Sequence, residues 1–281
     1  MELKNYLKKA QREKWAIGQF NFSTLEQLRG ILAAVSKTKS LVILGTSEGE
    51  SRFLGLEEIL ALVEISKMKY KIPAYLNLDH GKDLKWIKKA VDFGYSSIHF
   101  DGSGLSFKKN IEYTKKIVNY AHKKGVLVEG ELGYIGGESK YNRKKAIIKK
   151  EDLTLPEQVF EFVEKTKVDN LAVAIGNLHG IYQGAPKLDF ERLKEINKKT
   201  RAFLVLHGGS GIPKAKIKKA IKLGIVKINI NTELRMVWKK SLEKNLSWQE
   251  IKPYKILPSV QDSIQKKVEE KINLFSSKNK L

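Results

Sequence analysis

The sequence has no cysteine among its 281 residues, which excludes disulfide frameworks, thiolate nucleophiles and cysteine-based zinc sites. Proline is scarce, with 6, and no apolar run approaches the ~20 residues needed to cross a bilayer. The opening Met1–Lys9 carries lysines where a secretion signal needs an apolar stretch, so a cytoplasmic location is expected. Arginine is scarce too. Of 53 basic residues only 7 are Arg, against 31 acidic residues, so lysine carries the formal net charge of +22. Arginine's planar fork is the usual reader of bases and phosphates, whereas lysine is a hydrated point charge. The lysines fall in pairs along the whole chain, from 8–9 and 88–89 to 239–240 and 266–267, with no single basic arm. The pattern reads as a solvated surface that can also attract phosphorylated metabolites. A lysine-rich barrel that binds nucleic acid or another polyanion is the competing reading.

What is present is an alternation of short β-rich runs with longer amphipathic stretches. The expected strands are Ala16–Phe20, Leu41–Leu44, Ala74–Leu78, Ser97–Phe100, Leu127–Glu129, Leu171–Ala174, Phe203–Leu206 and Val226–Ile230. Ser23-Thr-Leu-Glu26 reads as a capping box before a helix with Leu25, Leu28, Leu32 and Val35 on one face. Eight such units predict parallel β/α architecture, either an open doubly wound sheet or a closed barrel. No Gly-x-Gly-x-x-Gly turn follows the first strand, which favours an α/β fold of one domain over 1–281, a (β/α)8 TIM barrel. Leu132–Asp152 is too long for an ordinary loop after strand 5 and reads as a mobile lid. Pro258–Leu281 reads as an extra C-terminal helix and tail.

The residues just after each strand carry the chemistry. Strand 3 ends at Asp79 and His80, strand 4 at Asp101, and strand 5 at Glu131. Strand 6 leads to His179 and Gly180, strand 7 to His207-Gly-Gly-Ser-Gly211, and strand 8 to Asn229-Ile-Asn-Thr232. These ends share one face of a barrel, where barrel enzymes keep their active sites. His80, His179 and His207 are three imidazoles with the donor chemistry of a catalytic Zn²⁺ site, and Asp101 and Glu131 are alternative oxygen ligands. Asp79 reads as a general acid/base, or else as a carboxylate that orients an imidazole. The glycines at 208 and 209 with Ser210 form a candidate phosphate cradle. Lys227 keeps a Schiff-base route open, while His99 and His122 read as structural or solvated.

Several motifs carry a family likeness. Gly18-Gln-Phe-Asn21, Val42–Gly49, Leu78-Asp-His-Gly81, Glu129-Gly-Glu-Leu-Gly133 with Gly136-Gly137, Ala172–Gly176, His207–Gly211 and Lys227–Glu233 together resemble the class II, zinc-dependent ketose-bisphosphate aldolases. The likeness runs nearly end to end. It implies cleavage of a ketose 1,6-bisphosphate, fructose 1,6-bisphosphate first, with tagatose 1,6-bisphosphate or another ketose as the alternative. By the same resemblance, His80, His179 and His207 would hold zinc, while Asp101 and Glu131 would serve a second or mobile divalent ion. Asp79 would move the proton on the C4 hydroxyl. Gly180, Gly208, Gly209, Ser210, Asn229, Ile230, Asn231 and Thr232 would hold the dihydroxyacetone phosphate portion, assisted by a monovalent cation. Asn21 and Ser47 would be lesser contacts, and the expected assembly is a homodimer or larger. Where the family carries its lid carboxylate this chain has Ser139, so Glu138, one residue earlier, is the candidate for that proton exchange. The strand-4 motif also departs from the family, reading Asp101-Gly-Ser-Gly-Leu-Ser-Phe107.

Overall fold

Strands whose side chains are apolar on both faces can survive only between two covering layers, and the chain builds that arrangement from its alternating units. The computed structural model describes residues 2–145, 147–184 and 186–281, apart from the side chains of Glu138, Arg143 and Lys144. The elements run α1 (Leu3–Glu13), β1 (Ile17–Asn21), α2 (Leu25–Thr38), β2 (Val42–Ser47), α3 (Glu48–Leu54), α4 (Leu56–Tyr70), β3 (Ala74–Gly81), α5 (Leu84–Asp92), β4 (Ser97–Phe100) and α6 (Phe107–Ala121). They continue through β5 (Leu127–Leu132), β6 (Gly137–Lys145), α7 (Pro156–Thr166), β7 (Asn170–Val173), β8 (His179–Gln183), α8 (Phe190–Lys198), β9 (Phe203–Leu206), α9 (Lys214–Lys222), β10 (Ile225–Ile230), α10 (Thr232–Asn245) and α11 (Pro253–Leu274).

Eight parallel strands close in the order β1-β10-β9-β7-β5-β4-β3-β2, with Gln19 opposite Asn229 at the seam. The expected (β/α)8 barrel is therefore the observed fold. Its helices form the outer layer, and the lysine-rich faces point outward in local pairs such as Lys116–Glu112 and Lys165–Glu161. At the N-terminal end of the strands, α1 buries Leu3, Tyr6, Leu7 and Ala10 against Trp15, Ile17, Leu41, Ile43, Phe203 and Val226, closing that mouth. No described helix is long and apolar enough to cross a membrane.

Three local expectations shift. The cap of α2 is Thr24, whose hydroxyl accepts from Gln27 N, one residue later than the Ser23–Glu26 box; Ser23 instead donates to the Gln27 side chain. The last helix starts at Pro253, with Pro258 inside it rather than at its head. The stretch read as a loop, 132–152, contains β6, which pairs in parallel with β8 outside the barrel, Gly137 opposite His179.

Helix α11 lies across α2, and Gly30 permits the close approach: a Cβ there would stand 2.7 Å from the Gln261 carbonyl oxygen and 2.9 Å from Ile264 Cβ. Alanine favours a helix over glycine by about 1 kcal/mol, but overpacking against backbone costs ~1–3 kcal/mol. Gly30→Ala is thus expected to lower the midpoint of chemical unfolding. A raised midpoint would mean that α11 yields freely.

Candidate active site

The barrel interior is unusually polar, because several strands turn polar side chains inward at alternate positions. At its centre the Lys227 ammonium meets Glu129 Oε2 at 2.6 Å, both side chains essentially without solvent exposure. The other oxygen, Glu129 Oε1, accepts from His207 Nε2 at 2.6 Å. Burial opposes ionisation of Glu129, yet Lys227 and the His207 hydrogen bond hold its carboxyl well below the usual range. Lys227 is therefore a buried counter-ion, with no free amine facing the pocket.

Each of the three expected histidine ligands has one ring nitrogen tied down. His207 donates from Nε2 to Glu129, His179 from Nδ1 to the Ile135 carbonyl at 3.0 Å, and His80 from Nδ1 to Asp101 Oδ2 at 3.3 Å. These partners set the tautomers and leave His207 Nδ1, His179 Nε2 and His80 Nε2 as the remaining nitrogens. The rings flank His80, with centroids 4.6 Å apart for His80 and His179 and 4.8 Å for His80 and His207, while those of His179 and His207 stand 5.9 Å apart. His179 Nε2 is buried and meets no hydrogen-bond partner among the described residues. His80 Nε2 and His207 Nδ1 face each other at 3.0 Å. Two lone pairs cannot face at that distance unless a cation, a proton or a metal ion, stands at one of them. The donor set therefore fits a divalent ion.

The electrostatics agree. Burial, with the neighbouring His80 and His207 rings, pushes His179 down to about 3. Burial likewise takes His207 down to about 4 against the pull of Glu129. His80 goes the other way: burial opposes its charge, but Asp79, the Asp101 hydrogen bond and Glu131 raise it to about 9. Asp101 and Glu131 each bring an oxygen within 4.8 Å of a His80 nitrogen. Asp101 is anchored by Ser103, whose hydroxyl donates at 2.6 Å, and Glu131 Oε2 is buried without a well-aligned donor among the described residues.

Asp79 stands beside the three rings. Asn229 Nδ2 donates to its Oδ1 and Asn21 Nδ2 to its Oδ2, each at 3.0 Å. Burial opposes its ionisation, but His80, His207, His99 and Lys227 keep it far below the usual carboxylate range. A cavity of about 80 Å³ opens here between Ser47, Asp79, His80, Ser139, His179, Gly180, His207, Gly208, Ser210, Asn229, Asn231, Thr232 and Arg235. It adjoins a second, of about 230 Å³, across His80, Ser139 and His179. Gly208 has φ +61, and a Cβ on it would come 2.1 Å from the Leu178 carbonyl oxygen, so only glycine lets the turn approach. Ser210 Oγ accepts from Glu233 N in the first turn of α10, beside Thr232.

Gly209 lies behind that wall, against Ile228 and the Asn229 carbonyl. Ile230 departs from expectation: its side chain is fully buried in the core and is not among the cavity walls, because it points outward from a strand whose neighbours Asn229 and Asn231 point in. The Glu138 side chain lies outside the described residues. Two groups were missed from sequence. Glu50, nearly buried, accepts from Ser47 N, Asn21 Nδ2, Asn231 Nδ2 and Arg235 Nη2, the last at 2.6 Å. His99, inside β4, has its ring centroid 4.6 Å from that of His80. His122 is far from the rim, bonded to Asp169 at the other end of the barrel.

The family model for class-II fructose-bisphosphate aldolase matches residues 1–280. The chain belongs to this family. It is 38% identical to the fructose-bisphosphate aldolase of Geobacillus stearothermophilus over 285 aligned positions, covering all of this chain and 98% of that protein. It is 39% identical to the fructose-bisphosphate aldolase of Staphylococcus aureus strain Mu50, with the same coverage. The crystal structure of the YdjI aldolase from Escherichia coli K12 superposes with a TM-score of 0.85 at 34% identity, over all of this chain and 98% of that one.

Two outcomes are expected of this aldolase-family site. Lys227→Met leaves the buried Glu129 charge uncompensated and is expected to destabilise the fold by ~3–5 kcal/mol in denaturant titration; a loss below 1 kcal/mol would show water reaching Glu129. Metal uptake requires a neutral His80, which holds its proton up to about pH 9, whereas His179 and His207 hold theirs only below about 3 and 4. Metal affinity is therefore expected to fall about tenfold per pH unit from 8 to 5, with one proton released per ion. Calorimetry in buffers of different ionisation enthalpy reads that number, and zero protons released would contradict it.

Proposed function

We propose that the chain is a zinc-dependent aldolase that cleaves fructose 1,6-bisphosphate to dihydroxyacetone phosphate and glyceraldehyde 3-phosphate and runs the reverse condensation. The observation that carries this reading is the trio of imidazoles, each with its outer nitrogen engaged, in which the His179 and His207 rings flank His80 beside a buried carboxylate. All-nitrogen donors suit zinc. His80, His179 and His207 would hold it, with Asp101 and Glu131 available for a second position. A divalent ion held there would supply Lewis acidity toward the ketose carbonyl and toward the charge left when the C3–C4 bond breaks.

The chain's own groups supply the rest. Asp79, oriented by Asn21 and Asn229 and kept ionised by the nearby cationic groups, takes the proton of the C4 hydroxyl as the bond breaks and returns it in condensation. Main-chain N–H groups of Gly208, Ser210 and Gly180, and the start of α10 at Asn231 and Thr232, receive the phosphate of the three-carbon half, aided by the helix dipole, while the Gly209 N–H is held by the Asn229 carbonyl at 3.1 Å. A monovalent cation on the loop carbonyls belongs to the same reading. Ser47 and Asn21 are assigned lesser substrate contacts. Glu138 is assigned the proton exchange on the three-carbon fragment from its sequence place alone. Tagatose 1,6-bisphosphate is the second reading, favoured by Ala172–Gly176, whereas Asn231 favours fructose.

A coupled cleavage assay on both bisphosphates, with and without chelator, tests this. Cleavage of the fructose substrate that vanishes on chelation and returns with Zn²⁺ is expected. Chelator-resistant cleavage would sink the metal reading. Asp79→Ala is expected to cut turnover by ~10²–10⁴-fold while the zinc content stays at that of the wild type; unchanged turnover removes its assigned role.

A further inference from the structure

We infer that His99 is a positioning residue of the metal centre: it holds the backbone of His80 in the conformation that aims the His80 ring, and it faces Glu131 from below. The β3–β4 ladder is regular at Leu78 opposite Ile98 and resumes at Gly81 opposite Phe100. Two residues, Asp79 and His80, therefore stand opposite one, His99. Such a bulge re-aims side chains and leaves a ladder N–H without its main-chain acceptor. His80 sits in the bulge at φ +50, the left-handed region that residues with a Cβ seldom adopt. Its N–H donates 3.1 Å to His99 Nδ1, so a side chain of the neighbouring strand supplies the acceptor that the ladder lacks.

The same bond decides what His99 is not. Its donor atoms lie within 4.8 Å of those of Asp79, His80 and His207, so proximity alone would make it a ligand. A ring that accepts at Nδ1 carries its proton on Nε2, and that nitrogen then has no lone pair for an ion. Nε2 lies 3.3 Å from Glu131 Oε2, in contact but not aligned for a hydrogen bond. His99 has no solvent exposure, and its ring packs edge-on against His80. One buried imidazole thus touches the main chain of one expected ligand and the carboxylate of another. Nothing in the proton-transfer steps uses it.

The inference rests on reading His80, His179 and His207 as metal ligands, and its test separates the two. Zn²⁺ dissociation constants are measured by chelator competition on the full chain for wild type, His99→Leu and His99→Asn, with circular dichroism as the check on folding and the Co²⁺ absorption spectrum as the signature of ligand geometry. His99→Leu removes both contacts and is expected to weaken zinc binding by ~10–100-fold and to alter the Co²⁺ bands. His99→Asn keeps an acceptor at the Nδ1 position and is expected to recover most of that loss. Should His99→Leu not fold, His99→Gln takes its place, since it keeps a polar group beside Glu131 but moves the acceptor away from His80 N. Equal zinc affinity in all variants, or equal losses in the Asn variant and its acceptor-lacking counterpart, overturns the positioning role. A wild-type protein that takes up no zinc overturns the metal reading, and this inference with it.

Discussion

Everything at the mouth of this barrel depends on one charge pair at its centre. Lys227 and Glu129 lie on strands across the barrel interior, without solvent, at 2.6 Å. Removing two ions from water costs several kcal/mol each, and attraction offsets that only when the remaining hydrogen-bonding positions are filled. Here the filling group is His207: Glu129 spends one oxygen on Lys227 and the other on the imidazole. The requirement to satisfy a buried carboxylate thereby sets the tautomer of a residue at the site. The interior continues in the same way, from Ser97 to Asn77 to Gln19 to Asn21, and so to Asp79 and Glu50. A dry barrel filled with Val, Ile and Leu would be simpler to stabilise, but it could not hold two carboxylates and three imidazoles in defined orientations.

From that constraint follows the division of labour around the rim. Parallel strands deliver their C-terminal ends to one mouth, so groups separated by more than a hundred residues, such as His80 and His207, come within 3.0 Å. Charged groups and a neutral ring then follow one another: cationic Lys227, anionic Glu129, neutral His207, protonated His80, then anionic Asp101 with Asp79 nearby. Because the carboxylates outnumber the charged rings there, His80 is the ring that takes a proton, while His179 and His207 stay neutral. A site that attracts a proton so firmly between facing imidazoles is also a site for a divalent ion. Larger grooves exist, one of about 550 Å³ near His122 and Asp169 at the opposite end of the strands, but among the described residues none brings several imidazoles and carboxylates together in this way. The polarity of the barrel, rather than cavity size, identifies the working face.

Much of the site was legible, and the gaps have physical reasons. Ligand-type residues beside glycines after strands stand out because a strand end is where alternation stops. Groups within strands do not stand out. His99, Glu129 and Lys227 sit in runs that read as core, and only their position two residues before Asp101, Glu131 and Asn229 marks them as sharing the same inward face. Glu50 carries no signal in the sequence, because its ties to Asn21, Asn231 and Arg235 depend on strands that meet only in the closed barrel. The β6–β8 ribbon was invisible because a lysine-rich segment shows no two-residue alternation, and its pairing partner begins with a residue read as loop.

By itself the sequence determined the eight β/α units, the three histidines at strand ends and the glycines that follow β9, since periodicity and turn chemistry are local properties that need no partner. Only the tertiary structure decided which ring nitrogen each histidine leaves open, which of them takes a proton, that Lys227 is a counter-ion, and that Ile230 faces the core. Those depend on hydrogen bonds and charges brought together by barrel closure, across distances in sequence that no local pattern spans.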